Sequence, residues 1–174
     1  MMIQDMTLPD PTPLAVRVYD FARESNQIEG IHVEKRHWVH ARALSELLLH
    51  NFVDVNKMVT FVKAIEPNAH LRTKEHHRVW IGGKEAVFAS LVTEMLDKLL
   101  NDVFGGIVSR WEAHARYECI HPFMDGNGRS GRALWLWMMS REEGLRKAVK
   151  LRFLQNYYYQ TLSKYRETLE GETS

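Results

Sequence analysis

The stretch HPFMDGNGRSGR, residues 121–132, limits the fold more than any other part of the chain. It places one imidazole, one carboxylate, three glycines and two guanidinium groups between the apolar segments ARYECI and ALWLWMM. Glycine weakens regular structure and buried charge is costly unless paired, so the stretch reads as a loop joining two core helices. The second helix opens near Asn127. Its first backbone N–H groups have no intrahelical partners, and the helix dipole there favours negative charge. A phosphate fits that position. Gly126 and Gly128 let the backbone approach an anion closely, while Arg129 and Arg132, three apart on one face, can grip further oxygens. A carboxylate facing a polyphosphate repels it unless a divalent cation lies between them, which makes Asp125 a natural Mg2+ ligand. His121 can act as a base near neutral pH. Together these parts describe a nucleotide phosphate, its metal, and a base for an attacking hydroxyl. GNG or HPF alone would mark an ordinary turn; their fixed order with both arginines in phase is what carries the inference. A P-loop is excluded, because its lysine followed by Ser or Thr is missing.

The rest of the chain supplies a core around this loop. With 174 residues, 45% of them hydrophobic, it suits one compact domain with a real core, or a domain with a short appendage. Lys and Arg (23) nearly balance Asp and Glu (22), so no broad field points to nucleic acid or an anionic membrane, and anion binding must be local. The one cysteine, Cys119, rules out an internal disulfide and a Cys-rich zinc site, and reads as a small core residue. MMIQDMTLPDPTPL lacks the pattern of a signal peptide, and no apolar run is long enough to span a bilayer. The expectation is a soluble, cytoplasmic protein.

Pro9, Pro11 and Pro13 predict an extended leader over 1–13. Helical spacing follows over 14–30, 33–50 and 53–65, then over 85–101, 104–118, 128–143 and 149–169. Gly30 is placed to stop the first helix. Between the third and fourth helices, LRTKEHHRVWIGG favours a short β-hairpin: Val79, Trp80 and Ile81 suit extended structure, and Gly82-Gly83 permits the turn. His76 and His77, as strand neighbours, would face opposite ways and be solvated. Trp38, Trp111, Trp135 and Trp137 read as core packing.

HPFMDGNGRSGR resembles the signature of Fic-domain proteins, HPFx(D/E)GNGRxxR, at every specified position. The resemblance runs from the leading helices through the hairpin to the last helix. It implies an all-α fold with a hairpin flap, and transfer of AMP from ATP to a Ser, Thr or Tyr hydroxyl of a target protein. On that basis His121 deprotonates the hydroxyl and Asp125 holds Mg2+ on the α- and β-phosphates. Asn127, with the Gly126 and Gly128 amides, holds the α-phosphate; Arg129 contacts the β-phosphate and Arg132 the γ-phosphate. The phosphotransferase branch of the family has lysine where Gly128 stands, which favours adenylyl transfer here. The flap, 72–80 with Arg72, Thr73, Val79 and Trp80, would hold a target segment by main-chain pairing. Tyr158 and Tyr159 resemble positions that flank adenine, although aromatics on an amphipathic helix are commonly core.

SNQIEG, residues 25–30, taken alone is an amphipathic helix end with a glycine stop. Ser25 and Glu29 are four apart and share a face. Beside the signature it resembles the inhibitory motif (S/T)xxxE(G/N), which implies that Glu29 pairs with Arg132 and that Ser25 and Gly30 complete the motif. Residues 14–32 would then be an inhibitory segment packed on a core of 33–174. Two alternatives stay open: the reverse hydrolase, in which Glu29 orients water to remove AMP, and a non-catalytic nucleotide-binding module. The expected partners are ATP and a target protein, with no nucleic acid and no membrane; a homodimer is left open.

Overall fold

Thr12 starts the first helix. Its hydroxyl accepts from the Ala15 N–H at 3.2 Å, and Pro13 occupies the first turn, where a missing N–H costs nothing. Pro13, assigned above to the leader, is therefore helical. The computed structural model describes residues 12–149 apart from Gly82. Helix α1 (Pro13–Ile28) buries Ala15, Val18, Phe21, Ala22, Ser25 and Asn26 on one face, a 3.6-residue pattern. It lies against α2 (Glu34–Leu49), where the Tyr19 and Trp38 rings sit 4.1 Å apart. Helix α3 (Val55–Ile65) begins at Asp54, whose carboxylate accepts from the Lys57 N–H at 2.8 Å.

The hairpin is smaller than expected. Strands β1 (Trp80–Ile81) and β2 (Lys84–Glu85) pair antiparallel, and the backbone from Arg72 to Val79 forms turns rather than strand. Because Glu85 belongs to β2, α4 runs Ala89–Phe104 and not from 85. Gly105 and Gly106, the latter at φ 66°, end that helix where a new one was expected at Phe104. Ser109 then caps α5 (Arg110–Ile120), its hydroxyl accepting from the Glu112 N–H at 3.2 Å.

Helix α6 (Asn127–Glu142) is the centre of the molecule, touching α1, α2, α3, α5 and the short α7 (Leu145–Ala148). Arg129 through Met139 are all buried, so it shows little amphipathic contrast, as a helix covered on every side must. Trp135 and Trp137 are in the core and Trp38 packs half-buried against it. Trp111, by contrast, is 40% exposed, which corrects its assignment to the core, and Cys119 is half-buried. Among the described residues no helix is long and apolar enough to cross a membrane. The last expected helix, with Tyr158 and Tyr159, lies outside the described residues.

Candidate active site

The loop between α5 and α6 is built from its own sequence. His121 closes α5 in the left-handed region at φ 49°, and Gly126 does the same ahead of α6 at φ 81°; only the second is a glycine. A non-glycine residue held at positive φ needs support, and His121 receives it from Arg72. Arg72 Nε donates to the His121 carbonyl at 2.6 Å and Nη2 to the Ile120 carbonyl at 2.7 Å. Its backbone N–H donates to the Pro122 carbonyl at 2.8 Å. These acceptors lie at the carbonyl end of α5, where a guanidinium is favoured. The same side chain reaches the carbonyls of His77 (3.1 Å) and Val87 (2.9 Å), tying the hairpin to the loop. Arg72 is 1% exposed, so it cannot also present itself to a target segment; its assignment as a target-binding residue is corrected to that of a strut.

Its neighbours differ. Thr73 and Trp80 are exposed and Val79 is half-buried. His77 is buried, not solvated, because Arg72 to Val79 is a turn: its Nδ1 accepts from the N–H groups of Thr73 (3.2 Å) and Lys74 (3.3 Å). Its Nε2, 3.3 Å from Nε2 of His70, must therefore carry the proton of the neutral ring. Burial and the nearby His76, His70, Lys74 and Arg72 hold His77 below the ordinary histidine range.

Asn127 turns inward. Its side-chain carbonyl accepts from the Phe123 N–H at 2.8 Å and its amide donates to the Phe123 carbonyl at 2.7 Å, closing the loop on itself. The Asn127 side chain thus shapes the loop. The Tyr117 hydroxyl donates to Ser130 Oγ at 2.8 Å, and that hydroxyl lies within 2.9 Å and 3.1 Å of the Gly126 and Asn127 carbonyls. Burial raises the Tyr117 phenol well above its usual range, so it stays a neutral donor.

Asp125 is 68% exposed on its side chain, with Oδ1 2.5 Å from the Gly126 N–H and 3.6 Å from Arg129 Nη2. Among the described residues no three His, Cys, Asp or Glu side chains gather as a metal site. A divalent cation at Asp125 would take its remaining ligands from phosphate and water, the usual habit of Mg2+.

Arg132 is fully buried. Nε donates to Ser25 Oγ at 2.8 Å, and Nη2 donates to the Ser25 carbonyl at 2.9 Å and to Glu29 Oε1 at 2.6 Å. SNQIEG is what delivers these groups. Glu29 ends α1, and Gly30 at φ 71° lets Ile31 N–H reach the Asn26 carbonyl (2.9 Å) while its own N–H reaches Gln27 (3.0 Å). This double closure is a Schellman turn. Gly128 then has a second function: a Cβ there would collide with Glu29 Oε1, so the carboxylate fills the space that glycine leaves above the helix start.

Three features escaped the sequence reading. Asn26 joins α1 to α2: its amide donates to the Arg36 carbonyl (3.2 Å) and faces His37 Nδ1 (3.1 Å), while its side-chain carbonyl faces His40 Nδ1 (3.1 Å). His40 is wholly buried, and desolvation together with Arg129, Arg132 and His37 keeps it neutral, well below its ordinary range. Arg36 and Glu66 form an ion pair, and Glu66 Oε1 is also 2.7 Å from Arg129 Nη2. A helix end before Pro67 gives Glu66 no signature, since its partners lie on α2 and α6. Arg72 as a strut was equally hidden, its acceptors being backbone atoms.

The geometry is thus a loop at a helix start with two arginines and carboxylates set against them. Residues 86–139, a span that includes His121 through Arg132, match the model of the Fic/DOC family. Comparison with curated proteins finds no match.

Proposed function

We propose that this chain transfers AMP from ATP to a Ser, Thr or Tyr hydroxyl of a target protein and of itself, and that Glu29 restrains the reaction. One observation carries the proposal: fully buried Arg132, in the helix that opens the loop, is held by Ser25 and Glu29 from a segment more than 100 residues away. A carboxylate on that guanidinium occupies an anion's place and repels a phosphate beside it, so the α-phosphate would be held out of line for attack.

His121 stands at the loop entrance, its backbone fixed by Arg72, and takes the proton of the attacking hydroxyl. Backbone N–H groups at the start of α6 would face the α-phosphate, Arg129 and Arg132 the outer phosphates, and Asp125 would hold Mg2+. Bound Mg2+ supplies charge neutralisation on the phosphate oxygens and the leaving diphosphate. Thr73, Val79 and Trp80 border the path of the target; Trp80 is 61% exposed at the edge of a two-stranded hairpin, a geometry suited to strand addition.

Removal of AMP by hydrolysis is the second reading. Glu29 favours it by keeping 31% of its side chain exposed while bonded to Arg132, so the carboxylate can order a water. The test compares wild type, Glu29→Gly and Glu29→Gly/His121→Ala with labelled ATP and, separately, with AMP-modified protein. Transfer raised by Glu29→Gly and abolished in the double variant is expected. Equal, low incorporation in wild type and Glu29→Gly, with release of AMP by wild type, would replace transferase by hydrolase.

A further inference from the structure

We propose that Glu66 is a second restraining carboxylate, acting on Arg129 as Glu29 acts on Arg132, and that Arg36 is the cation to which it retreats when a phosphate arrives. The proposal rests on the nucleotide reading above. Three contacts carry it. Glu66 Oε1 lies 2.7 Å from Arg129 Nη2. The same oxygen is ion-paired with Arg36 Nη2, which also reaches the Ile65 carbonyl at 3.4 Å. Asp125, the other carboxylate near Arg129, is more distant at 3.6 Å and faces solvent.

The burial pattern decides which partner each group can lose. The Arg129 side chain is 4% exposed, so its charge must stay matched by an anion close by, and Glu66 is the matched anion in this state. Arg129 Nε is buried and has no hydrogen-bond partner among the described residues, so the guanidinium is under-used by the protein alone. Arg36 is 40% exposed, and water can serve it in either state. A phosphate at the loop replaces Glu66 on Arg129 without creating an orphan charge, because Glu66 keeps Arg36. Glu66 is also held close to the loop itself: its Cγ lies 3.7 Å from where a Cβ on Gly126 would sit. Its backbone is pinned by a 2.8 Å bond from its N–H to the Val62 carbonyl, so the handover needs only side-chain motion.

Two substitutions on one oxygen should then act in opposite directions. Glu66→Gln, which keeps the shape and loses the charge, tightens binding of ATP and ADP by about fivefold, the scale of one partly exposed ion pair. Arg36→Ala removes the retreat, leaves Glu66 on Arg129, and weakens both nucleotides by a similar factor. AMP, which has no β-phosphate for Arg129, changes with neither. Binding is measured by calorimetry with Mg2+ in the Glu29→Gly background, where Arg132 is released, and thermal unfolding of each variant shows that it is folded. Should Glu66→Gln unfold, Arg36→Ala on the outer side of the pair still decides. Weaker binding in Glu66→Gln, or equal shifts for AMP and ADP, or no weakening in Arg36→Ala, overturns the inference while the nucleotide reading stands. No nucleotide binding in any form overturns both.

Discussion

Arg72 Nε and the carbonyl oxygen of His121 are 2.6 Å apart although 49 residues separate them in the chain. That bond and its companions to Ile120, His77 and Val87 make one buried guanidinium the joint between the hairpin and the loop. Burial lowers its pKa only from the very high arginine range, so the charge is retained.

Arg72→Ala therefore strands several carbonyls at once. A loss of roughly 3 kcal/mol or more is expected, since each buried unsatisfied group costs about 1–3 kcal/mol. Urea unfolding measures it. Arg72→Lys should recover little of the loss, because one ammonium cannot fork to acceptors on both sides. Near-complete recovery by lysine would show that charge alone, not geometry, supports His121.

Gly128→Ala tests the space that Glu29 fills. In a helix the change alone favours folding by up to about 1 kcal/mol, but here the new methyl meets the Glu29 carboxylate. Wild-type protein should lose stability on the substitution. In the Glu29→Gly background the collision partner is gone, so the same change should be neutral or stabilising. The two backgrounds must differ in sign, as expected for residues in contact. A single, background-independent effect would place Glu29 elsewhere in solution.

Acid should weaken the packing of α1 on α2. The Asn26 amide donates to the Arg36 carbonyl, which fixes its orientation, so His40 Nδ1 carries a proton and His37 Nδ1 accepts. Both rings are held neutral by desolvation, His40 also by Arg129, Arg132 and His37, and His37 also by Arg23 and His32. An unfolded histidine titrates near about 6.5. Below that pH the unfolded chain binds protons that the folded chain refuses, so the stability contribution is present above the unfolded pKa and lost as pH falls. The melting temperature should drop between about pH 7.5 and 5.5, and His40→Gln should flatten that slope. An unchanged slope in His40→Gln would exclude His40 as its source.

The loop, and the turn that ends α1 beside it, could be read from the chain because their chemistry is local. Gly126 and Gly128 announce a helix start with an open face, and SNQIEG carries its glycine stop at the needed spacing. Helix types were legible for the same reason, while ends failed where one glycine pair, Gly105-Gly106, shifted a boundary by several residues. What stayed hidden depends on distant partners. Arg72 looked like a flap residue that holds a target segment; only the fold shows four carbonyls waiting for its guanidinium. Asn127 looked like a ligand contact because its motif is functional, yet its side chain serves the loop's own backbone. Trp111 was read as core packing because it lies on a helix, although aromatic residues also occur on surfaces.

Helix α6 gives the site a scaffold that leaves little freedom to drift. Both arginines project from a segment that is also the middle of the core, so changes that would tune the proposed phosphate contacts are screened first by whether the protein folds. The proposed restraint comes instead from α1, whose outer face is open and whose Ser25 and Glu29 hold Arg132. On the proposed function, chemistry and control would be carried by parts under unequal constraint: a lineage could rewrite when the site opens, residue by residue in α1, while what the site does would stay tied to the core.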